Sequence, residues 1–210
     1  MSVAKWMSTK LITIQKDDPV SLAYELLLAN DIRHLPVLSR GKLVGILTDR
    51  DLHEAIVPCD SSTDRRGIYN TLKDISVERI MTPNPISVHP DASIEQAAQI
   101  LFERKIDCLT VKDTKGKLVG IITSTDILRA FIELMQVLRG SQRIDIRMNT
   151  ADYDKVRAII QNNGGKIISI GITPGEDLSQ NVYSFRIAAP DLQALGARLK
   201  ERGYAVLPID

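Results

Sequence analysis

The sequence predicts an α/β (α+β) fold with two βαββα units in a pseudo-twofold pair, followed by a βαββαβ unit. An internal repeat supports the pair, with an offset of 74 residues between Met7 and Met81 and of 75 residues between Gly45 and Gly120. Both copies alternate strand-like and helix-like apolar patterns in the same order. The repeat ends near residue 138, and a different order of elements follows.

Each copy of the repeat has the same predicted elements. In the first copy they are a strand at 11–14, a helix at 20–29, strands at 35–38 and 43–47, and a helix after residue 48. In the second copy they are a strand at 86–88, a helix at 94–104, strands at 109–112 and 118–122, and a helix after residue 123. The domain boundaries predicted from this pattern are 1–57 for the first repeat, 58–76 for a polar linker, and 77–138 for the second repeat.

The strongest local motif is a twin segment, Gly-h-h-Thr-x-x-Asp (h is apolar), at 45–51 and 120–126. In both copies a strand runs through a glycine into the start of a helix. The carboxylate can accept hydrogen bonds from two vicinal ribose hydroxyls, and the threonine hydroxyl can bind a ribose or phosphate oxygen. A helix N-terminus attracts phosphate, and Arg50 adds a cation beside the first motif only. The pattern therefore predicts nucleoside phosphate sites.

A purely structural interpretation stays open for the same residues. A threonine or aspartate at the start of a helix is commonly an N-cap, and one copy alone would favour that interpretation. Two copies in register favour a shared binding role, although duplication would also preserve two caps. His34 is open in the same way, between a ligand contact and a partly buried, hydrogen-bonded residue.

The repeat resembles a tandem pair of cystathionine-β-synthase (CBS) domains over about residues 1–138. The resemblance is carried by Met7 and Met81, by Ile-Arg-His-Leu-Pro-Val at 32–37, and by the twin motifs. It implies a disc-like module that often dimerises and binds AMP, ADP, ATP or S-adenosyl compounds in one or two clefts.

The resemblance also implies roles for particular residues. Asp51 and Asp126 would hold ribose, and Thr48 and Thr123 would contact ribose or phosphate. Adenine would lie between apolar side chains of both repeats, namely Ile12, Ile32, Pro36, Ile86, Ile106 and Leu109. Arg50 and His34 complete the predicted ligand-binding set. The second copy departs from the pattern because no proline follows Leu109.

Residues 139–210 form the predicted C-terminal unit, which follows an apolar-rich helix at 127–138. The order βαββαβ implies a ferredoxin-like sandwich. That order resembles the ACT domain, a small regulatory fold that often binds amino acids. The turn at 149–152 lacks the Asp-x-Pro-Gly-like sequence usual in ACT domains, which favours dimerisation or partner docking over amino-acid binding. Together, the CBS pair and the ACT-like unit resemble the bacterial acetoin-utilisation regulatory protein family.

Composition and charge exclude several classes of function. The formal net charge is +1, from 27 basic and 26 acidic side chains, so the chain carries no strong footprint for nucleic acid. The two cysteines, Cys59 and Cys108, and the three histidines are scattered, which disfavours a metal site. No apolar stretch has the length of a signal peptide or a membrane span, so a cytoplasmic location without membrane contact is expected.

These observations predict a non-enzymatic regulatory sensor that needs no cofactor and takes an adenine nucleotide (AMP, ADP or ATP) as its ligand. A homodimer is expected, together with a regulated protein partner. A stand-alone enzyme is disfavoured because no Ser-His-Asp, GxGxxG, Walker or HExxH pattern is present. Two alternatives stay open: a structural dimerisation scaffold, and an amino-acid-binding regulator that acts through the ACT-like unit.

Overall fold

The computed structural model of the protein describes residues 1–56, 72–135, 141–175 and 180–208. The chain divides into two compact units, residues 1–127 and residues 128–210. The described residues form six α-helices and three β-sheets. Most of the predicted linker, and the predicted boundary between residues 138 and 139, lie outside the described residues.

The first repeat folds in the predicted βαββα order. Its elements are β1 (Ile14–Gln15), α1 (Val20–Asn30), β2 (His34–Ser39), β3 (Lys42–Thr48) and α2 (Asp49–Ile56). Strand β1 pairs in parallel with β2, and β2 pairs antiparallel with β3. The tight turn between β2 and β3 needs a left-handed residue, and Gly41 supplies it with φ of 77°.

The second repeat has the same order with one additional short strand. Its elements are β4 (Thr82–Pro83), β5 (Ser87–Val88), α3 (Ile94–Arg104), β6 (Cys108–Lys112), β7 (Leu118–Thr123) and α4 (Ser124–Leu134). Ser93 caps α3 by accepting a hydrogen bond from the Gln96 N–H at 3.0 Å. Helix α4 begins three residues before the predicted start of the apolar-rich helix at 127, and it crosses from the first compact unit into the second.

The two repeats exchange the segments that precede their first strands. Strand β4, in the segment leading into the second repeat, pairs with β3 of the first repeat through Gly45 and Pro83. Reciprocally, Ser8 pairs with Ile121 in β7 of the second repeat. The Val3 N–H donates to the Ala92 carbonyl at 2.8 Å, which ties the start of the chain to the second repeat. The reciprocity gives the pair its twofold character.

The core of the first repeat lies between its sheet and its two helices. Residues from β2, β3, α1 and α2 contribute to it, and Val77 enters from the exchanged segment. Its fully buried side chains include Val20, Leu35, Val37 and Leu47. Alternation in β2 sends Leu35 and Val37 into this core, so His34 and Pro36 belong to the other face of the strand.

The second unit contains the predicted βαββαβ order. Its elements are β8 (Gln142–Met148), α5 (Tyr153–Asn162), β9 (Lys166–Pro174), β10 (Asn181–Ala188), α6 (Leu192–Glu201) and β11 (Ala205–Val206). A short 3₁₀ helix, Thr150–Asp152, precedes α5. All strand pairs are antiparallel and the sheet order is β11-β8-β10-β9. The core includes the fully buried Tyr183 and Phe185.

Candidate functional site

The twin motifs lie where a strand ends and a helix begins, as predicted. In the first, Thr48 ends β3 and Asp51 lies in the first turn of α2. Oδ2 of Asp51 accepts hydrogen bonds from the Thr48 N–H and the Thr48 hydroxyl, both at 2.7 Å. The Thr48 hydroxyl oxygen in turn accepts from the Asp51 N–H at 3.3 Å. This reciprocal arrangement is a capping box with aspartate in the position where glutamate is usual.

The second motif has the same geometry at the start of α4. Oδ2 of Asp126 accepts from the Thr123 N–H at 2.9 Å and from the Thr123 hydroxyl at 2.8 Å. The Thr123 hydroxyl oxygen accepts from the Asp126 N–H at 3.3 Å. The structural interpretation of these residues as helix caps is therefore confirmed. A binding role would have to coexist with the cap.

Two clefts open beside these caps. The one beside the second motif, here the Thr123 cleft, has a volume of about 320 Å³. Its lining residues are Ser8, Lys10, Leu11, Ile12, Asp31, Ile32, Arg33, His34, Pro36, Ile121, Thr123, Ser124, Thr125 and Asp126. The one beside the first motif, here the Thr48 cleft, has a volume of about 400 Å³. Its lining residues are His34, Ile46, Thr48, Asp49, Arg50, Asp51, Thr82, Asn84, Pro85, Ile86, Lys105, Ile106, Asp107 and Cys108.

Each cleft combines a threonine–aspartate pair from one repeat with apolar residues from the other. In the Thr123 cleft, the polar pair of the second repeat faces the same space as Ile12 and Ile32 of the first repeat. In the Thr48 cleft, the polar pair comes from the first repeat, and the apolar Ile86 and Ile106 come from the second. His34 lines both clefts. The sites predicted from the sequence thus form two separate clefts related by the pseudo-twofold pairing.

Leu109 is the one predicted apolar residue that lines neither cleft. Its side chain is 0% exposed, and the neighbouring Cys108 lines the Thr48 cleft instead. Thr110, which occupies the position of Pro36, is also fully buried. Its hydroxyl donates to the Ile86 carbonyl at 3.1 Å and hydrogen-bonds the Ser87 hydroxyl at 2.7 Å. Leu109 therefore lies in the core and not on the surface of either cleft, contrary to the prediction.

Several charged residues in the clefts were absent from the predicted set. They are Lys10 and Asp31 in the Thr123 cleft, and Asp49, Lys105 and Asp107 in the Thr48 cleft. The repeat alignment contained the signal, because residues 31 and 33 match residues 105 and 107 of the other copy. Each cleft takes charged residues from both repeats.

Arg50 lies at the edge of the Thr48 cleft and is engaged with its own helix. Its Nε donates to Oε1 of Glu54 at 3.1 Å, and its side chain is 85% exposed. The backbone N–H of Arg50 donates to Oδ1 of Asp49 at 2.9 Å. The first-turn N–H that a phosphate could have used is thus already paired with a carboxylate.

Burial changes the ionisation of two cleft residues at matching positions. Burial lowers the pKa of His34, although Asp49 nearby opposes the change. Burial raises the pKa of the Cys108 thiol to about 12, with a further rise from the charge of Asp107. The imidazole is consequently biased towards its neutral form, and the thiol stays protonated at neutral pH.

Two further properties concern the described residues alone. Among them, no group of three or more His, Cys, Asp or Glu side chains is placed to hold a metal ion. None of their helices is both long and apolar enough to cross a membrane.

The chain belongs to the CBS domain family. The family model, described as "CBS domain", matches residues 3–58 and 77–133, which correspond to the two repeats. A CBS domain-containing protein from Dictyostelium discoideum is 33% identical over 135 residues, covering 64% of this chain and 93% of the relative. Homoserine O-acetyltransferase from Methanococcoides burtonii is 34% identical over 129 residues, but this chain spans only 24% of its length.

Solved structures of CBS pairs are similar to the chain as well. The CBS domain pair of protein MJ0100, in complex with 5′-methylthioadenosine and S-adenosyl-L-methionine, is 30% identical with a TM-score of 0.53, covering 62% of this chain and 99% of that one. CBSX2 in complex with AMP is 29% identical with a TM-score of 0.54, covering 63% and 97%. A protein assigned to acetoin utilization (AcuB) from Vibrio cholerae is 30% identical with a TM-score of 0.54, covering 66% and 96%.

Proposed function

We propose that this chain is a non-catalytic regulatory sensor that binds adenine nucleotides or S-adenosyl compounds in the two clefts between its CBS repeats. The observation that carries the proposal is the pairing in each cleft of a threonine–aspartate corner from one repeat with apolar residues from the other. Such a cleft offers an apolar slot for a base beside acceptors for a sugar. The cleft volumes, 320 and 400 Å³, fall within the range usual for small-molecule sites.

The cap leaves part of the carboxylate available for a ligand. In the first motif, Thr48 uses Oδ2 of Asp51, and Oδ1 has no hydrogen-bond partner among the described residues. Oδ1 of Asp51 can therefore accept from a ribose hydroxyl while the cap persists. Ile86 and Ile106 would then contact the adenine ring. In the other cleft, Asp126 is proposed to take ribose next to Ile12, Ile32 and Pro36, as the resemblance of its motif implies.

The ionisation of the cleft residues favours binding over catalysis. Cys108 would be the natural nucleophile of the Thr48 cleft, but a pKa of about 12 leaves almost no thiolate at neutral pH. The Thr48 hydroxyl already donates to Asp51 and accepts from its N–H, so it is not poised to attack a ligand. We therefore assign these groups to recognition.

The experiment that tests this function is calorimetry and thermal unfolding with AMP, ATP, S-adenosylmethionine and adenosine. A ligand at 100 times its dissociation constant should stabilise the fold by about 2.7 kcal/mol. The double variant Asp51→Asn, Asp126→Asn should lose this effect. Asparagine keeps one carbonyl oxygen for the cap but presents an NH₂ group, a donor, where ribose needs an acceptor.

A matched control separates ligand binding from helix capping. Ser93→Ala removes the cap of α3, and Ser93 lines neither cleft. This variant should lose stability yet keep the full ligand-induced rise in melting temperature. An unchanged rise in the double asparagine variant would refute the ribose assignment, and measurable turnover of the nucleotide would refute the non-catalytic role.

We propose that the second unit is ACT-like and acts in dimerisation or partner docking. The chain would then work as a cytoplasmic homodimer with a regulated protein partner, and its domain combination resembles the acetoin-utilisation regulatory protein family. Strand β9 is an edge of its sheet and exposes Ile172, 58% accessible, which supports a role in pairing. Ile172→Lys should shift a dimer towards monomer in light scattering. Calorimetry with free amino acids tests the alternative of an amino-acid-binding regulator.

A further inference from the structure

The two clefts differ in charge at equivalent positions around the helix N-terminus that each contains. In the Thr48 cleft, the first residue of α2 is Asp49, and Asp107 of the other repeat lines the same space. In the Thr123 cleft, the matching residues are Ser124 and Arg33. Two anionic side chains therefore correspond to one neutral and one cationic side chain.

Asp49 places a carboxylate at the start of α2, where it lines the Thr48 cleft. Its Oδ1 accepts from the Arg50 N–H at 2.9 Å, in the first turn of α2, where backbone N–H groups point out of the helix. A phosphate brought there would meet this carboxylate and the charge of Asp107. Arg50 compensates little, because its exposed guanidinium is paired with Glu54.

The Thr123 cleft lacks such a carboxylate at its helix N-terminus. Ser124 and Thr125 are neutral, and no side chain of the described residues accepts from the Thr125 N–H. Lys10 adds a second cation, where the other cleft has the neutral Asn84. The Thr123 N–H is bound to Asp126 at 2.9 Å, and the Ser124 N–H is bound to the Asp107 carbonyl at 2.9 Å. A 5′-phosphate in this cleft would therefore meet the Thr125 N–H together with the cationic side chains of Arg33 and Lys10.

At one further pair of matching positions, the charge difference between the clefts has the opposite sign. Asp31 lines the Thr123 cleft and Lys105 the Thr48 cleft, both as exposed C-cap residues that follow α1 and α3. With Asp51, Asp126 and Arg50 included, the lining side chains sum to zero charge in the Thr123 cleft and to −1 in the Thr48 cleft. The net charges of the two clefts thus differ little. The difference in charge is concentrated where a 5′ substituent would lie.

We propose, on the basis of the proposed function, that the two clefts select adenosine ligands by the charge of the 5′ substituent. The Thr123 cleft takes an adenosine 5′-phosphate. The Thr48 cleft takes an adenosine compound whose 5′ substituent is neutral or cationic, such as a thioether or a sulfonium. The chain would then bind a different class of adenosine metabolite in each cleft, instead of the same class in both.

Calorimetric stoichiometry on the full chain tests the assignment of ligands to clefts. AMP should bind once per chain in the wild type, keep its site in Asp51→Asn and lose it in Asp126→Asn. S-adenosylmethionine should show the opposite dependence. Uncharged adenosine should bind both clefts with similar affinity. Two equal AMP sites in the wild type, or AMP loss in Asp51→Asn alone, would overturn the proposal.

A second experiment exchanges charged residues between the two clefts. In the Asp126→Asn background, adding Asp49→Ser and Asp107→Arg should create AMP binding in the Thr48 cleft. In the wild-type background, Arg33→Asp should weaken AMP about tenfold or more at low salt and less at high salt. Arg33→Asp should change S-adenosylmethionine affinity much less than AMP affinity. Unchanged AMP binding after both exchanges would overturn the proposal.

Failure of this proposal can be told apart from failure of the proposed function. If adenosine, AMP and S-adenosylmethionine all fail to bind, the sensor function itself is wrong. If adenosine binds both clefts but charge reversal has no effect, only the charge selection is wrong. Arg33 and Asp107 are exposed, so their replacement should preserve the fold, which circular dichroism checks. Arg33→Gln and Asp107→Asn give the same comparison with smaller changes.

Discussion

Oδ2 of Asp51 lies 2.7 Å from both the hydroxyl oxygen and the backbone nitrogen of Thr48. The same oxygen of Asp126 lies 2.8 and 2.9 Å from the matching atoms of Thr123. In each repeat one aspartate therefore stabilises the start of a helix and also lines a cleft. Under the proposed function, stability and ligand binding depend on the same side chain, and experiments on these residues have to separate the two.

Asp51→Ala should destabilise the ligand-free protein by about 1 kcal/mol, because two hydrogen bonds that cap α2 are lost. Asp51→Asn should cost less, since the amide oxygen can still accept from Thr48. Urea unfolding without ligand measures both values. Equal losses for alanine and asparagine would mean that the carboxylate charge, and not the hydrogen bonds, stabilises the helix start.

The repeat pattern predicted most of the fold because its signals are local. The helix at 94–104 was predicted with the bounds that the structure shows, since Ser93 and the apolar spacing mark its start and face. The exchanged pairing of β4 with β3 was not predicted. A strand of two residues carries no periodicity, and its partner is separated from it by the linker.

The cleft residues were predicted where the motif was strong and missed where strand register decides the outcome. Side chains alternate along β6, so Leu109 enters the core while Cys108 lines the cleft. Leu109 matches the buried Leu35, and this correspondence was available in the sequence. The match of Asp107 with Arg33 was also available in the repeat alignment, but the cleft that each charge lines depends on which helix start faces which repeat.

Gly45→Ala should destabilise the protein by about 1 to 3 kcal/mol, because the exchanged segment passes directly over the glycine. An added Cβ would lie 3.2 Å from the Thr82 carbonyl oxygen and would clash with the Met81 side chain. Denaturant unfolding measures the loss. Gly171→Ala is the matched control, since its Cβ would meet only Ser184 at an ordinary 3.7 Å. Equal effects of the two substitutions would contradict the close packing of the exchanged segment.

The stability of the protein should fall as the pH falls through the range in which His34 titrates. Burial places the folded-state pKa of His34 below its ordinary value of 6.5, with Arg33 acting in the same direction and Asp49, Asp107 and Asp51 opposing it. The contribution of the neutral imidazole is complete above pH 6.5. It is lost as the pH falls from 6.5 through the folded pKa, because the unfolded state then binds the extra proton.

The measurement is the free energy of unfolding of the wild type and of His34→Gln between pH 8 and pH 5. One proton allows a slope of at most about 1.4 kcal/mol per pH unit. The difference between the two proteins should narrow as the pH falls, since only the wild type loses the histidine contribution. A difference that is constant, or that widens towards low pH, would contradict a depressed pKa. Ligand in either cleft should change this dependence, because His34 lines both.

Cys108 should be almost unreactive towards thiol reagents in the folded protein. Its pKa of about 12, raised mainly by burial, leaves roughly one thiolate in ten thousand at pH 8, whereas an unfolded cysteine is about a quarter ionised. The test uses Cys59→Ser, so that Cys108 is the single thiol, and follows its reaction with Ellman's reagent at pH 8 in buffer and in guanidinium. Reaction of the folded protein should be about a thousandfold slower and should accelerate with unfolding. Asp107→Asn should change the folded rate little, since burial is the larger cause. A folded rate close to that of a free thiol would show that Cys108 is open to solvent, and the Thr48 cleft would then be wider than described.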